Sequence, residues 1–427
     1  MLALMALRVP IAIAMFIPGA VGFALLASLP ALLNQLKGSA WARLSVYDLS
    51  VIPLFLLMGQ FATQGGLSRA LFRFANSLLG HRRGGMAMAA VLACGAFGTI
   101  CGSSVATAAT VTQVALPEMR RHHYSGRLAT ATLAAGGTLG ILVPPSVVLV
   151  VYAILTEQNI AKLFAAAVIP GVLAATGYVV AIAAYVRLVP GHAPEVPPVS
   201  RAERRAAARD VWPVGAIFVV VFGGIYGGVF TPTEGAGFGA ASTFVTAVAK
   251  RELGVAALQR AFLGTAETTA MVFLIFLGAD MLNSALALSR MPTELAEAVV
   301  ALSLPPVAVV AGILIFYVIL CSVMDELSMV ILTVPVLLPV ITTLNLYDLT
   351  STEKVIWFGI LVLSVVEIGL IAPPVGLNVY VVNSLARDVP MAETYRGVLP
   401  FLVSDTVRIA LLITFPALSL YAVRLIS

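Results

Sequence analysis

The chain has 427 residues, 60% of them hydrophobic and 11% charged, with a mean hydropathy of +1.03. Soluble domains carry about 25% charged residues, so this composition cannot furnish the polar surface that a soluble protein of this length needs. It points to a polytopic membrane protein and excludes disordered, collagenous and disulfide-scaffold classes. The net charge of +5 reads as topology and not as nucleic-acid binding: Lys and Arg gather in cytoplasmic loops, and no basic face carries interleaved aromatics. Cys94, Cys101 and Cys321 lie in apolar surroundings without CxxC or Cys/His spacing, which argues against a disulfide framework or a zinc site.

A spanning helix needs about 20 apolar residues. In chain order the sequence predicts spans at 3–28, 50–75, 128–155, 163–187, 211–231, 233–249, 266–288, 355–385 and 397–425, the first read as a retained helix and not a removed signal peptide. Two apolar stretches, 84–118 and 305–343, behave differently. The first lies between Arg69, Arg73, Arg82 and Arg83 on one side and Arg120, Arg121 and Arg127 on the other, so both of its ends are placed in the cytoplasm. Its midpoint, Gly98-Thr-Ile-Cys-Gly-Ser-Ser-Val-Ala-Thr107, is polar and breaks the helix. Arms of about 15 residues, roughly 22 Å, are too short for a hydrocarbon core of about 30 Å. A re-entrant hairpin is expected.

Beyond it, the arginines at 187, 201, 204, 205 and 209 place 187–209 inside, and Lys250, Arg251 and Arg260 do the same for 250–260. The second stretch, with the polar midpoint Ser322-Val-Met-Asp-Glu-Leu-Ser328, is then expected to enter from the opposite face. The two regions match as repeats: Ser103 precedes Pro117 by the same 14 residues as Asp325 precedes Pro339. Each hairpin is followed by a helix interrupted at a double proline, Gly140-Ile-Leu-Val-Pro-Pro145 and Gly369-Leu-Ile-Ala-Pro-Pro374, where the missing donors unwind the helix. Inverted repeats with paired hairpins and paired broken helices are the signature of a secondary transporter, because broken backbone at membrane depth has to line a cavity or bind something.

The hydroxyls of Ser103, Ser104 and Thr107, with freed carbonyls at Gly140, Val143 and Pro145, form an oxygen set suited to a hard monovalent cation such as sodium. Half-helix N-termini suit a carboxylate substrate, and Gly98, Gly102, Gly136 and Gly137 let the backbones approach. Asp325, an intramembrane carboxylate, either binds an ion or proton or caps a half-helix. Thr107, Pro374, Asn378 and Tyr380 are candidate cavity-lining residues, as is Asp325, while Asp280, Glu326 and Glu367 read as structural polar contacts. Enzyme readings find little support. No lysine follows a glycine, so there is no P-loop, the four histidines lie in predicted loops, and Asp280 with Asp325 is only a partial likeness to an intramembrane aspartyl protease pair. A channel is disfavoured by two mid-membrane breaks.

Taken together, Ile52-Pro-Leu-Phe-Leu-Leu-Met-Gly59, the run 98–107 with Pro117 and Met119, the run 140–145, Thr231-Pro-Thr-Glu-Gly235, Asp325 with Pro335 and Pro339, and Pro373-Pro-Val-Gly376 resemble the large membrane subunit of tripartite ATP-independent periplasmic (TRAP) transporters over essentially the whole chain. The resemblance implies an all-α elevator-type transporter of the bacterial inner membrane, coupled to sodium and importing an organic acid such as a dicarboxylate or sialic acid. It implies as partners a small four-helix membrane subunit and a soluble periplasmic substrate-binding protein. By motif, one sodium site falls on Ser103, Gly140, Val143 and Pro145, and a second on Gly369, Ala372 and Val375 near the Asp325 hairpin. Ala372 stands where the family commonly has Thr, and Cys321-Ser322 where it usually has Gly, which weakens the second site. The transport domain is expected at 84–160 and 266–386, and the scaffold at 1–83, 161–265 and 387–427, with the amphipathic 251–265 as a connecting arm. A stand-alone sodium/carboxylate symporter of related architecture is the alternative.

Overall fold

The structure is a computed structural model that describes residues 1–7, 9–322 and 324–426, without the side chains of Leu2, Ala6 and Arg43. Arg8, inside the first expected span, and Val323, inside the second expected hairpin tip, lie outside the described residues, as does Ser427. Among the described residues every regular element is helical, and seven helices are long and apolar enough to cross a membrane.

Local sequence sets the helix ends. Ser125, Ser146 and Asn159 each accept a hydrogen bond from the backbone amide three residues on, using donors that a helix start otherwise leaves orphaned. Ser200 with Glu203, Thr231 with Glu234, and Thr350 with Glu353 form reciprocal capping boxes. Glycines supply several of the stops. The expected span 50–75 is two helices, Val51–Gln64 and Leu67–Leu79, because Gly66 takes a left-handed φ of +65° between them.

Both hairpins are present. The first has arms Gly85–Cys101 and Ser104–Arg121, and the second has arms Pro306–Cys321 and Glu326–Thr343, tied across by a 2.8 Å bond between the Thr333 and Tyr317 hydroxyls. Both double prolines break their helices, giving Gly126–Leu142 with Val147–Leu155 and Ser351–Ile371 with Leu377–Leu385. The Pro144–Pro145 and Pro373–Pro374 peptide bonds are both cis. These elements share one buried centre. Tyr152 in the first broken helix donates to the Val355 carbonyl of the second at 2.6 Å, and the Trp357 indole donates to the Leu412 carbonyl at 2.9 Å.

Other boundaries differ from those expected. Residues 255–265 of the expected arm form the first turns of the continuous 34-residue helix Val255–Leu288, with no Gly or Pro break at 265–266 to set them apart from the span. A helix at Leu29–Leu44, too polar to register as a span, fills the gap before Val51. The last expected span is Met391–Thr414 plus Ala417–Ile426, split at Phe415-Pro416. The helices Ile11–Leu26, Val51–Gln64, Pro232–Ala249 and Val255–Leu288 pack on one another, whereas Ile160–Leu188 and Met391–Thr414, expected among the scaffold, pack on the broken helices.

Candidate functional site

The double prolines decide which oxygens are freed. In an α-helix each carbonyl accepts from the amide four residues on. The last such bonds before the breaks run from Val143 to the Leu139 carbonyl and from Ala372 to the Ile368 carbonyl. The next carbonyls, on Gly140 and Gly369, would need amides from Pro144 and Pro373, which have none. Each repeat therefore leaves a glycine carbonyl without its helical partner at the same place, four residues ahead of its double proline.

In the first repeat the hairpin tip closes on that point. Gly102 turns the chain at φ +63°, and Ser103, in extended conformation, caps the second arm by accepting from Ala106 N at 3.4 Å. A Cβ built on Gly140 would fall 2.7 Å from both the Ser103 carbonyl oxygen and Thr107 Oγ1, and one on Gly102 would fall 3.2 Å from the Pro145 carbonyl oxygen. Gly98 faces the Gly140 Cα just as closely, at 2.6 Å from its own built Cβ. Ser103, Thr107, Gly140 and Pro145 are thus brought to one spot, with Val143 half-buried beside it. Thr107 Oγ1 is buried and finds no oxygen or nitrogen partner among the described residues, only the weakly hydrogen-bonding Cys101 thiol. A buried hydroxyl left unpartnered is costly, and here it lies among oxygens whose lone pairs suit a cation. Ser104 does not cap: its hydroxyl crosses to the second hairpin and donates to Glu326 Oε1 at 3.2 Å.

The second repeat repeats the plan with different chemistry. Asp325 is the N-cap of its arm, its Oδ2 accepting from Ser328 N at 3.0 Å, so the capping reading describes its contact. Gly369 is crowded by the Cys321 Cβ and backbone, and Gly376 starts the second half-helix at φ +53° with no side-chain cap. Pro374 and Val375 are exposed, and their carbonyls accept from the Tyr395 hydroxyl at 3.3 and 2.7 Å. Of the expected second ion set, Gly369 and Ala372 are buried together at the break, and the Val375 carbonyl is already engaged. Asn378 is fully buried and donates to the Ala134 carbonyl at 3.2 Å, joining the second broken helix to the first, while its Oδ1 has no partner among the described residues. Tyr380 is exposed. Asp280 lies elsewhere, beside Phe16, Gln35 and Leu36.

Known proteins with this sequence pattern perform transport. Residues 1–418 match the family model of the tripartite ATP-independent periplasmic transporter, DctM component. The chain belongs to this family. It is 37% identical over 376 residues to the C4-dicarboxylate TRAP transporter large permease protein of Pseudomonas aeruginosa, covering 88% of this chain and 86% of that one. It is 30% identical to the sialic acid TRAP transporter large permease protein of Vibrio cholerae, with the same two coverages of 88% and 86%. Its fold is similar to the crystal structure of the Alcanivorax borkumensis YdaH transporter, which has an unusual topology, with a TM-score of 0.66 and 16% identity over 95% of this chain and 97% of that one. The chain is a large permease subunit of a transporter that works with a small membrane subunit and a substrate-binding protein, and not an enzyme. The protease alternative built on Asp280 and Asp325 falls away.

Two features of this TRAP permease escaped the sequence reading. One is the tip-to-tip bond from Ser104 to Glu326, whose partners stand 222 positions apart. The other is a buried chain of polar groups behind both breaks. Arg408 Nη2 lies 2.5 Å from Glu367 Oε2 and 3.0 Å from Asp405 Oδ1, Tyr178 donates to Asp405 Oδ2 at 2.9 Å, and Thr138 lies 3.1 Å from the Tyr178 hydroxyl. Thr138 is two residues before Gly140 and Glu367 two before Gly369. The available signal was Asp405 and Arg408 at helical i,i+3 spacing inside an apolar span.

Proposed function

We propose that this large permease subunit is a sodium-coupled carrier of an organic acid handed over by a periplasmic substrate-binding protein. The observation that carries the reading is the convergence of the Ser103 carbonyl and Thr107 hydroxyl oxygens on Gly140, the residue whose carbonyl the double proline deprives of its helical partner. Unwound carbonyls and half-helix ends commonly hold the coupling ion in secondary transporters. Ser103, Thr107, Gly140, Val143 and Pro145 form the first sodium site, with Ser104 as its bridge to the second hairpin. Gly369 and Ala372, with Val375, form the second. Asp325, Pro374 and Asn378 line the substrate path between them. The relatives named for a C4-dicarboxylate and for sialic acid support a carboxylated substrate, whose negative charge the ions offset.

The carrier works as an elevator in the bacterial inner membrane. Hairpins and broken helices move as one body, joined by Ile160–Leu188 and Met391–Thr414, which the polar chain from Thr138 to Glu367 fastens to both breaks. The helices Ile11–Leu26, Val51–Gln64, Pro232–Ala249 and Val255–Leu288 stay fixed.

The test is uptake into proteoliposomes holding this chain and its small subunit, with an inward sodium gradient, with and without the binding protein. Uptake is expected to need both. Sodium-driven uptake without the binding protein establishes a stand-alone symporter instead, and binding-protein-dependent uptake indifferent to sodium overturns the coupling.

A further inference from the structure

Among the described residues, a side-chain hydrogen bond joins the two hairpin tips. Ser104 is fully buried and Glu326 is 8% exposed, and the serine hydroxyl donates to the carboxylate at 3.2 Å. Buried hydroxyls on helices ordinarily return their proton to a carbonyl one turn back, as Ser364 does to Ile360 and Thr333 to Met329. Ser104 opens its helix and sends its proton to the other repeat instead.

That choice has a chemical consequence. A serine oxygen has one proton and two lone pairs. With the proton committed to Glu326, the lone pairs are left for another group, and Ser104 sits at the same tip, directly after Ser103 and one turn before Thr107, the two residues whose oxygens lie against Gly140. Thr107 Oγ1, fully buried against Gly140, has the Cys101 thiol beside it and no oxygen or nitrogen partner among the described residues, which leaves its lone pairs available at the same spot. Asp325 spends an oxygen on its cap, so Glu326 is the tip carboxylate that reaches across.

We propose that Glu326 is a positioning residue for the first cation site, orienting and polarising the Ser104 hydroxyl so that a carboxylate of the second hairpin sets the sodium affinity of the first. This rests on the sodium reading above. The arrangement is the oxygen counterpart of a carboxylate behind a metal-bound ligand, where the outer group fixes orientation and raises basicity. It also couples the repeats: when sodium leaves the first site, the bond between the tips loses the cation that offsets its charge.

The experiment is thermal unfolding of the full-length chain with its small subunit, titrated with sodium against choline at constant ionic strength. Glu326→Gln keeps the shape and an acceptor oxygen but removes the charge. The sodium-free midpoint is expected to stay at the wild-type value, while the half-saturating sodium concentration rises on the order of tenfold. Adding Ser104→Ala to Glu326→Gln is expected to cost no more than Ser104→Ala alone, because Glu326 acts through Ser104. A Glu326→Gln variant with wild-type half-saturation overturns the proposal, whatever its uptake rate. If Glu326→Gln does not assemble, Ser104→Ala decides: unchanged half-saturation there overturns it equally. A wild-type complex that responds to sodium no more than to choline overturns the sodium reading itself, which is a different result from a sodium-responsive wild type beside an unaltered Glu326→Gln.

Discussion

The two repeats place a glycine four residues ahead of a proline pair, and then surround it differently. Around the first break, Pro144 and Pro145 are buried, Ser146 caps the outgoing half-helix, and the hairpin tip presents two serines and a threonine. Around the second, Pro373 and Pro374 are exposed, the outgoing half-helix starts on Gly376 without a side-chain cap, and a tyrosine hydroxyl already holds the Pro374 and Val375 carbonyls. One architecture thus yields a mostly buried break faced by hydroxyls and an exposed one whose carbonyls are partly engaged. The lesson is that helix-breaking chemistry fixes where carbonyls come free, while the neighbours decide whether a small cation or a larger ligand can use them.

The largest effect is expected from cutting what joins the repeats. Arg408→Met leaves the Glu367 and Asp405 carboxylates buried without their cation, and breaking such a cluster costs about 3–5 kcal/mol. Thermal unfolding should show a large loss, most of it recovered when Glu367→Gln and Asp405→Asn are added. A triple variant no better than Arg408→Met would mean that packing and not charge holds this region.

Next come the glycines. A methyl on Gly140 meets the Ser103 carbonyl and the Thr107 hydroxyl at 2.7 Å, so Gly140→Ala should reduce sodium-driven uptake by at least about tenfold, a loss of roughly 1.4 kcal/mol or more in ion binding. Gly254→Ala, with no atom near its built Cβ, should leave uptake unchanged.

A smaller, opposite pair of effects tests the hydroxyl difference. Ser103→Ala removes a cap worth about 1 kcal/mol and should weaken sodium dependence. Ala372→Thr adds a hydroxyl at the second break and should lower the sodium concentration needed for half-maximal uptake. No change in either variant would place sodium on carbonyls alone. The smallest effect is expected for Tyr395→Phe, which frees the Val375 carbonyl at a cost of about 1 kcal/mol and should alter substrate dependence before sodium dependence.

Much of this was legible in the residues because proline, glycine and the small hydroxyl residues act locally. The double prolines, the 98–107 tip and the 14-residue spacing from Ser103 and Asp325 to their prolines needed no partner to be read. What stayed hidden was tertiary. Nothing in the sequence indicated that Ser104 would reach Glu326, or that Tyr178 would connect Thr138 to Asp405. Boundaries failed where hydropathy ran on through a change of direction, as at Gly65-Gly66 and Phe415-Pro416, or dropped without one, as at 251–265. The openness of the second break was equally invisible, since exposure there depends on which distant helices pack over it and not on the flanking residues.

The long helix Val255–Leu288 lies against Ile11–Leu26 with almost nothing between the backbones: a Cβ on Gly278 would strike the Ala12 backbone, and one on Gly19 would come within 2.5 Å of Leu282 N. Small residues permit that approach. Where the two run together, 12–22 against 278–285, paired rods flex far less than either alone, so this stretch behaves mechanically as a single stiff beam. Bending is pushed out beyond it, and just past the end of the long helix Arg290 adopts a left-handed φ of +57°.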